Sequence, residues 1–434
     1  MAAATVVLAL CGAGGAETYV VDANHPKAGD QNAGSAGAPF KTITKGLSAA
    51  KAGDTVLVKA GRYPEGVDIT KSGEPNKPIV LQGAPKQDVV VLGGLLVSGA
   101  ANIRVEGFKF TWGEDVKSRK EFVAVTKSQY VEIAGCEIFD KAEKADWVGV
   151  GVSIGGSDHI TVRGCRLHHV YLGVALGGAK DCVVEDMDIG PWEHEDGLRT
   201  MDCDRILVQN CDIHSHETND ANATHKRSGH VDGIQIIRAN NDLTIRNVHV
   251  HGAGQGITAF TDSFGTKWDK PRRNLRVEGC IVEPLNEVHG ITFYQVVDPV
   301  ILNNTVPKSR INIASVEGGV VKNNIAYGSS ISGVSEEDYN LWIAEVKGSA
   351  KPGPHDLAKV DPLFTDPAKH DFRLTAGSPA IDSADSSVGR GKDRAGNEAF
   401  DVPGVENRGA GPKPYLDRGA LEYVPEKATQ PAKN

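Results

Sequence analysis

The chain has 434 residues, 40% hydrophobic and 24% charged, with 47 Lys and Arg against 56 Asp and Glu for a formal net charge of −9. That apolar content is enough to bury a core and excludes a disordered or collagen-like chain. The acidic balance has the wrong sign for a general nucleic-acid binder, which relies on clustered Lys and Arg against phosphate, so no nucleic-acid partner is expected.

Residues 1–16, MAAATVVLALCGAGGA, carry no charge and have an apolar run from Ala4 to Leu10 followed by small residues. They read as a secretory signal with its cut after Ala16, although the usual basic start is missing, and the mature protein is expected outside the cell or in the periplasm. No other stretch approaches the ~20 apolar residues of a membrane span. A soluble monomer is expected. Within residues 17–60, TITKGLSAA is the best amphipathic helix candidate, suited to cover the open end of a repetitive fold.

From residue 103 onward one local pattern recurs nine times, apolar-x-apolar-x-turn-apolar-x-apolar, as in IRVEGFKF, VEIAGCEI and ILVQNCDI. The turn position is held by Gly107, Gly135, Gly164, Asp186, Asn210, Asn247, Gly279, Asn303 and Asn323. All are types that tolerate the left-handed backbone region, so the column is expected to be a series of positive-φ bends between short strands. The next position holds Phe108, Cys136, Cys165, Met187, Cys211, Val248, Cys280, Asn304 and Asn324. Four of the seven cysteines share this phase, which reads as an inward core stack rather than a disulfide framework. A third apolar strand follows each pair, as in YLGVAL, DGLRTM, DGIQII, QGITAF and HGITFY. Repeats of this length with three strands and no helical period describe an all-β fold, a single parallel β-helix whose coils stack at about 4.8 Å.

Successive turn positions lie 20–29 residues apart except for two intervals of 37 and 32. These carry extra loops at residues 214–230 and 261–273, flanking one strand face, and they are expected to wall a groove. Lys226 in the first loop and Lys267, Trp268 and Arg272 in the second bring cations and a stacking ring to that groove, reversing the sign of the scaffold in favour of an anionic polymer. Beyond residue 340 the repeat fades into Pro-, Gly- and Asp-rich segments. The expected division is a signal at 1–16, the β-helix with its N-terminal helical cap at 17–340, and an irregular C-terminal cap and tail at 341–434.

YVVDANHPKAGD, APFKTITKGLSAAKAGDTVLVKAGRY and the NNT-type coils resemble right-handed parallel β-helix proteins that act on polysaccharides, notably family-nine-like pectate lyases. The likeness runs over nearly the whole chain. It implies a right-handed coil, and uronan lyases, C5-epimerases, glycoside hydrolases and phage tailspikes share that scaffold, so function has to be argued from the site.

Aligned on Gly173, Gly197, Gly233, Gly256 and Gly290, the third strands place Leu172, Asp196, Asp232, Gln255 and His289 in one column. Ala175, Arg199, Gln235, Thr258 and Thr292 fall in another. Asp196 and Asp232 are therefore expected one coil apart at the groove rim, beside Arg199 and Gln235, with His194, Glu195 and His230 at the same edge. Two carboxylates so close must share a proton, flank a cation or divide acid and base roles. Glu195, Asp196 and Asp232 supply hard oxygens for Ca²⁺. Arg199 would grip a uronate carboxylate, and His230 or His289 would serve as base in β-elimination. Trp192 is placed to stack on a sugar ring. In family-nine-like lyases the resemblance implies an Asp-Asp-Gly calcium site and a Lys base two residues after a strand Gly. Glu195-Asp196-Gly197 matches the first, while Gln235, Thr258 and Thr292 stand where the Lys would be. The expected activity is a lyase on an acidic polysaccharide. The alternatives are a hydrolase using Asp196 and Asp232 as acid and base, a C5-epimerase, to which His289-Gly290 is similar, or a non-catalytic carbohydrate-binding solenoid.

Overall fold

A computed structural model describes residues 15–113, 119–140, 149–192, 195–215, 231–260, 272–344 and 352–425. Among them all strands but two form one continuous parallel ladder, in which strands pair with those one coil earlier and one coil later, while Phe364–Asp366 and Asp371–Leu374 make a separate antiparallel pair. Three stacks run side by side. One passes through Ala101–Glu106, Gln129–Ala134, Asp158–Arg163 and Lys180–Glu185. The second holds the short strands Glu137–Phe139, Arg166–His168, Asp188–Ile189, Asp212–His214, His249–His251 and Ile281–Glu283. The third holds Val150–Gly155, Leu172–Gly177, the start of Leu198–Gln209, the start of Asp232–Arg246, Gln255–Ala259 and Ile291–Tyr294. The chain is the parallel β-helix that its repeats describe.

All nine turn positions have positive φ, between 54° and 76°. This bend lets each coil turn from the first stack into the second, and Gly, Asn and Asp are the residues that reach it at least steric cost. The residues that follow are buried in every coil, none more than 2% exposed. Cys136, Cys165, Cys211 and Cys280 are free thiols within that stack. Toward the C-terminus the same position becomes polar. Asn304 Nδ2 donates to Asn324 Oδ1, and Asn324 Nδ2 donates to Asn340 Oδ1, both at 2.9 Å. An amide ladder thus satisfies the buried polar groups that the cysteine stack avoids having.

Helix Ile43–Ala49 covers the first coil, with Thr42 as its N-cap accepting from Lys45 N and with Ile43 and Leu47 turned inward. The stacked strands run on to Leu357–Ala358, within the segment read as C-terminal cap. The rest of that segment lies back along the solenoid. Arg418 Nη1 donates to Asn340 O at 2.7 Å, His370 Nδ1 lies 2.9 Å from Glu283 Oε2, and Arg394 Nη1 donates to Cys211 O at 3.3 Å. No helix among the described residues is long and apolar enough to cross a membrane.

Candidate functional site

The third-strand glycines are fixed by packing. A Cβ on Gly233 would sit 2.1 Å from Val250 Cγ1, and one on Gly256 would sit 2.1 Å from the carbonyl oxygen of Gly290. Backbone and core side chains leave no room for either, so the coil corner is closed at Gly and the residue before it is held in register. Gly197 N donates to Asp232 O at 3.0 Å, Asp232 pairs with Gln255, and Gly256 N donates to His289 O at 2.8 Å. Arg199, Gln235, Thr258 and Thr292 pair in succession on the same strands. Both columns read from the sequence exist.

Around Asp196 the polar groups form a compact network. Its Oδ2 accepts from Arg199 Nε at 2.6 Å and its Oδ1 from the backbone N–H of Asp232 at 3.1 Å. Arg199 Nη2 also pairs with Glu195 Oε2, and Glu195 Oε1 accepts from the Tyr171 hydroxyl at 2.9 Å. Asp232 Oδ2 accepts from the Thr258 hydroxyl at 3.0 Å. Its Oδ1 is buried and has no well-directed hydrogen bond among the described residues. Thr258 and Tyr171 were not singled out as site residues. Thr258 was visible as the occupant of the Arg199 column, whereas nothing in the sequence marks Tyr171.

Both aspartates are fully buried, which corrects their expected position at an open rim. The exposed edge of the cluster is formed by Arg199 and Glu195, whose side chains are 27% and 32% accessible. Burial raises the pKa of Asp196 to about 7, with the Arg199 charge opposing and the Asp232 charge reinforcing the shift. Burial likewise raises Asp232 to about 6, against the Thr258 and Gln235 side chains. The two titrate as a pair. Asp196 receives a guanidinium and a backbone N–H, and Asp232 is served by the Thr258 hydroxyl and the Gln235 side chain, all of which favour the carboxylate against burial. Asp232, the lower of the two at about 6, is therefore the first to ionise as pH rises, and Asp196 follows at about 7.

The same contacts bear on calcium. Both oxygens of Glu195, both of Asp196 and one of Asp232 are already engaged, and the Arg199 guanidinium sits between Glu195 and Asp196 where a cation would bridge them. These residues do not fit a Ca²⁺ cage, because the ion would have to displace a charge-assisted pair.

Two expected sugar contacts are corrected. Trp192 is fully buried, its Nε1 donating to Glu195 O at 2.9 Å, so it packs between coils and holds the Glu195 backbone. Arg272 is 1% exposed and spans the carbonyls of Phe260 and Tyr294. It lies on strand Arg272–Arg273, where successive residues take opposite sides, and Arg273 is the exposed one. Gln235 is partly exposed beside Arg199. His289 is half-buried against Phe260, with Nδ1 3.4 Å from Thr292 Oγ1. His194, Lys226, His230, Lys267 and Trp268 lie outside the described residues.

A sequence model described as a right-handed beta helix region matches residues 93–270. The uncharacterized protein YwoF of Bacillus subtilis (strain 168) is 29% identical over 141 residues, 32% of this chain and 26% of that protein, so the match spans about a quarter of the relative's length. Among solved structures, a complex of XylC with xylose is 11% identical, with 94% of this chain and 98% of that one covered and a TM-score of 0.52. Pectate lyase Pel9A is 16% identical, with 95% and 98% covered and a TM-score of 0.51. A rhamnogalacturonan lyase is 13% identical, with 95% and 97% covered and a TM-score of 0.50. At these identities the likeness shows the fold, a right-handed parallel β-helix.

Proposed function

We propose that the chain is an exported polysaccharide lyase that cleaves a uronic-acid-containing polymer by β-elimination at Asp232 and Arg199. One observation carries the choice of reaction. Of the two close aspartates, only Asp232 keeps a carboxyl oxygen with no well-directed hydrogen bond among the described residues, while both Asp196 oxygens are tied to Arg199 and to the Asp232 backbone. A two-carboxylate hydrolase needs both groups available to the glycosidic bond. A lyase needs one base and a group that neutralises the uronate carboxylate. Two of the three fold neighbours named above are lyases, a pectate lyase and a rhamnogalacturonan lyase.

In this mechanism the partly exposed guanidinium of Arg199 neutralises the substrate carboxylate and renders the C5 proton acidic, the part assigned to calcium in the resembling family. Asp196 and Glu195 hold that guanidinium in place. Asp232, ionised above about pH 6, takes the proton from C5. The C5–H electron pair becomes the C4–C5 double bond, the C4–O4 bond breaks, and the leaving oxygen is protonated from solvent or from a neighbouring donor. By register His289 lies two coils from Asp232, roughly 10 Å along the axis, and is assigned to substrate positioning.

The test is an assay on a panel of uronans with and without EDTA, following the ultraviolet absorbance of unsaturated products and the reducing ends separately. Unsaturated product that persists in EDTA is the expected result. Reducing ends without that absorbance would overturn the lyase in favour of hydrolysis, inverted C5 configuration without cleavage would identify an epimerase, and binding without turnover would identify a lectin-like solenoid.

A further inference from the structure

A second polar cluster lies on the short-strand stack, away from Asp232. Asp212 pairs with His249, His214 with His251, and His251 with Glu283. Alternate residues of a strand share a face, so burial of Val250 and Ile213 in the core turns His249, His251, Asp212 and His214 outward together. Asp212 Oδ1 lies 3.1 Å from His251 Nε2 and 4.0 Å from His249 Nδ1. One ligand atom from each of Asp212, His249 and His251 falls within 4.8 Å of the others.

We propose that Asp212, His249 and His251 bind a divalent transition cation of the Zn²⁺ class. Two imidazoles and one carboxylate are the borderline donor set such ions prefer. Tetrahedral bonds of about 2.0–2.1 Å place ligand atoms roughly 3.4 Å apart, and the separations of 3.1 and 4.0 Å from Asp212 Oδ1 bracket that value. The orientation of His249 supplies an independent argument. Its Nε2 lies 2.8 Å from Oε1 of Glu283, a carboxylate only 2% exposed, so Nε2 carries the proton. The unprotonated Nδ1 of the neutral ring then faces Asp212 Oδ1, two electron-rich atoms pointed at each other. A cation between them turns that opposition into coordination and displaces the proton between His251 and Asp212. Glu283 fixing the far nitrogen of a ligand histidine is the outer-shell arrangement of metal sites. Three carboxylates, Asp188, Asp212 and Glu283, face three neighbouring cations, Arg166, Lys308 and Arg394, so the fixed charge around the cluster is balanced before the histidines are counted. The opposing reading is a latch without metal, since His370 of the C-terminal segment also bonds Glu283 at 2.9 Å.

Metal-stripped protein titrated with Zn²⁺ by calorimetry, and with Co²⁺ by visible absorbance, decides between them. The expected result is one saturable equivalent per chain, lost in His251→Ala and in the isosteric Asp212→Asn, about 10–100-fold weaker in Glu283→Gln, and unchanged in Asp232→Asn. Circular dichroism identifies any variant that fails to fold, and Asp212→Asn then carries the comparison. Absence of saturable binding by the wild-type chain, or wild-type affinity in both ligand variants, overturns the proposal and leaves the latch.

Discussion

Asp196 and Asp232 on the third-strand stack and Asp212 and Glu283 on the short-strand stack are carboxylates held close by coil stacking, and their surroundings treat them in opposite ways. Around Asp212 and Glu283 burial raises the pKa, but the hydrogen bonds and charges of His249, His251 and His370 outweigh it and both acids lie below their usual range. Around Asp196 and Asp232 burial wins, and both lie well above it. The first pair is compensated and can serve as ligand or latch. The second leaves a buried oxygen with no well-directed hydrogen bond among the described residues, an arrangement that costs stability and is tolerable where a proton has to be moved.

Asp232→Asn should break the contrast most sharply. Removing the base is expected to lower kcat on the uronan substrate about 10²–10⁴-fold, measured as initial rates of unsaturated product. The same change should stabilise the fold. A carboxyl whose folded pKa is raised contributes stability that is fully present below the unfolded value and is lost as pH rises through the folded value, here about 6 to 7. The variant is therefore expected to match the wild type near pH 4 and to exceed it at pH 8 by up to about 3 kcal/mol, read from denaturant midpoints at the two pH values. Wild-type turnover in this variant would remove Asp232 from the mechanism.

Arg199→Lys should cost less, about 10²-fold in kcat/KM. A lysine keeps the charge but loses the planar fork that reaches Asp196 and Glu195 together. In the wild type the rate should rise from pH 5 to 7 as Asp232 ionises. A rate that instead falls across this range would assign Asp232 as a general acid and support hydrolysis.

What the sequence made legible follows from how a solenoid maps chain position onto space. A residue type repeated at one phase becomes a column, so the nine positive-φ bends, the cysteine stack and the Asp196–Asp232 register could be read directly. Depth could not. Trp192 and Arg272 stand at strand edges where a one-residue change of phase exchanges solvent for core, and both fell on the core side. The Asp212–His251 contact was hidden for another reason. Its residues are 39 apart across an inserted loop, which breaks the regular interval that would have aligned them. His249 and His251 alone resemble any outward pair on a strand, and Asp212 and Glu283 distinguish them only once the coils are stacked.

Glu283→Gln, in metal-free buffer, is the mildest expected perturbation and bears on the compensated side of the comparison. The amide keeps one acceptor but cannot serve His249 and His370 as two charge-assisted partners, so a loss of about 1–3 kcal/mol is expected. Because His370 belongs to the segment lying back along the solenoid, that loss should be local, appearing as faster amide exchange in residues 364–374 while the coils around Asp196 stay protected. If exchange instead rises uniformly along the chain, Glu283 supports the whole stack, and the two clusters are less independent than their opposite titration implies.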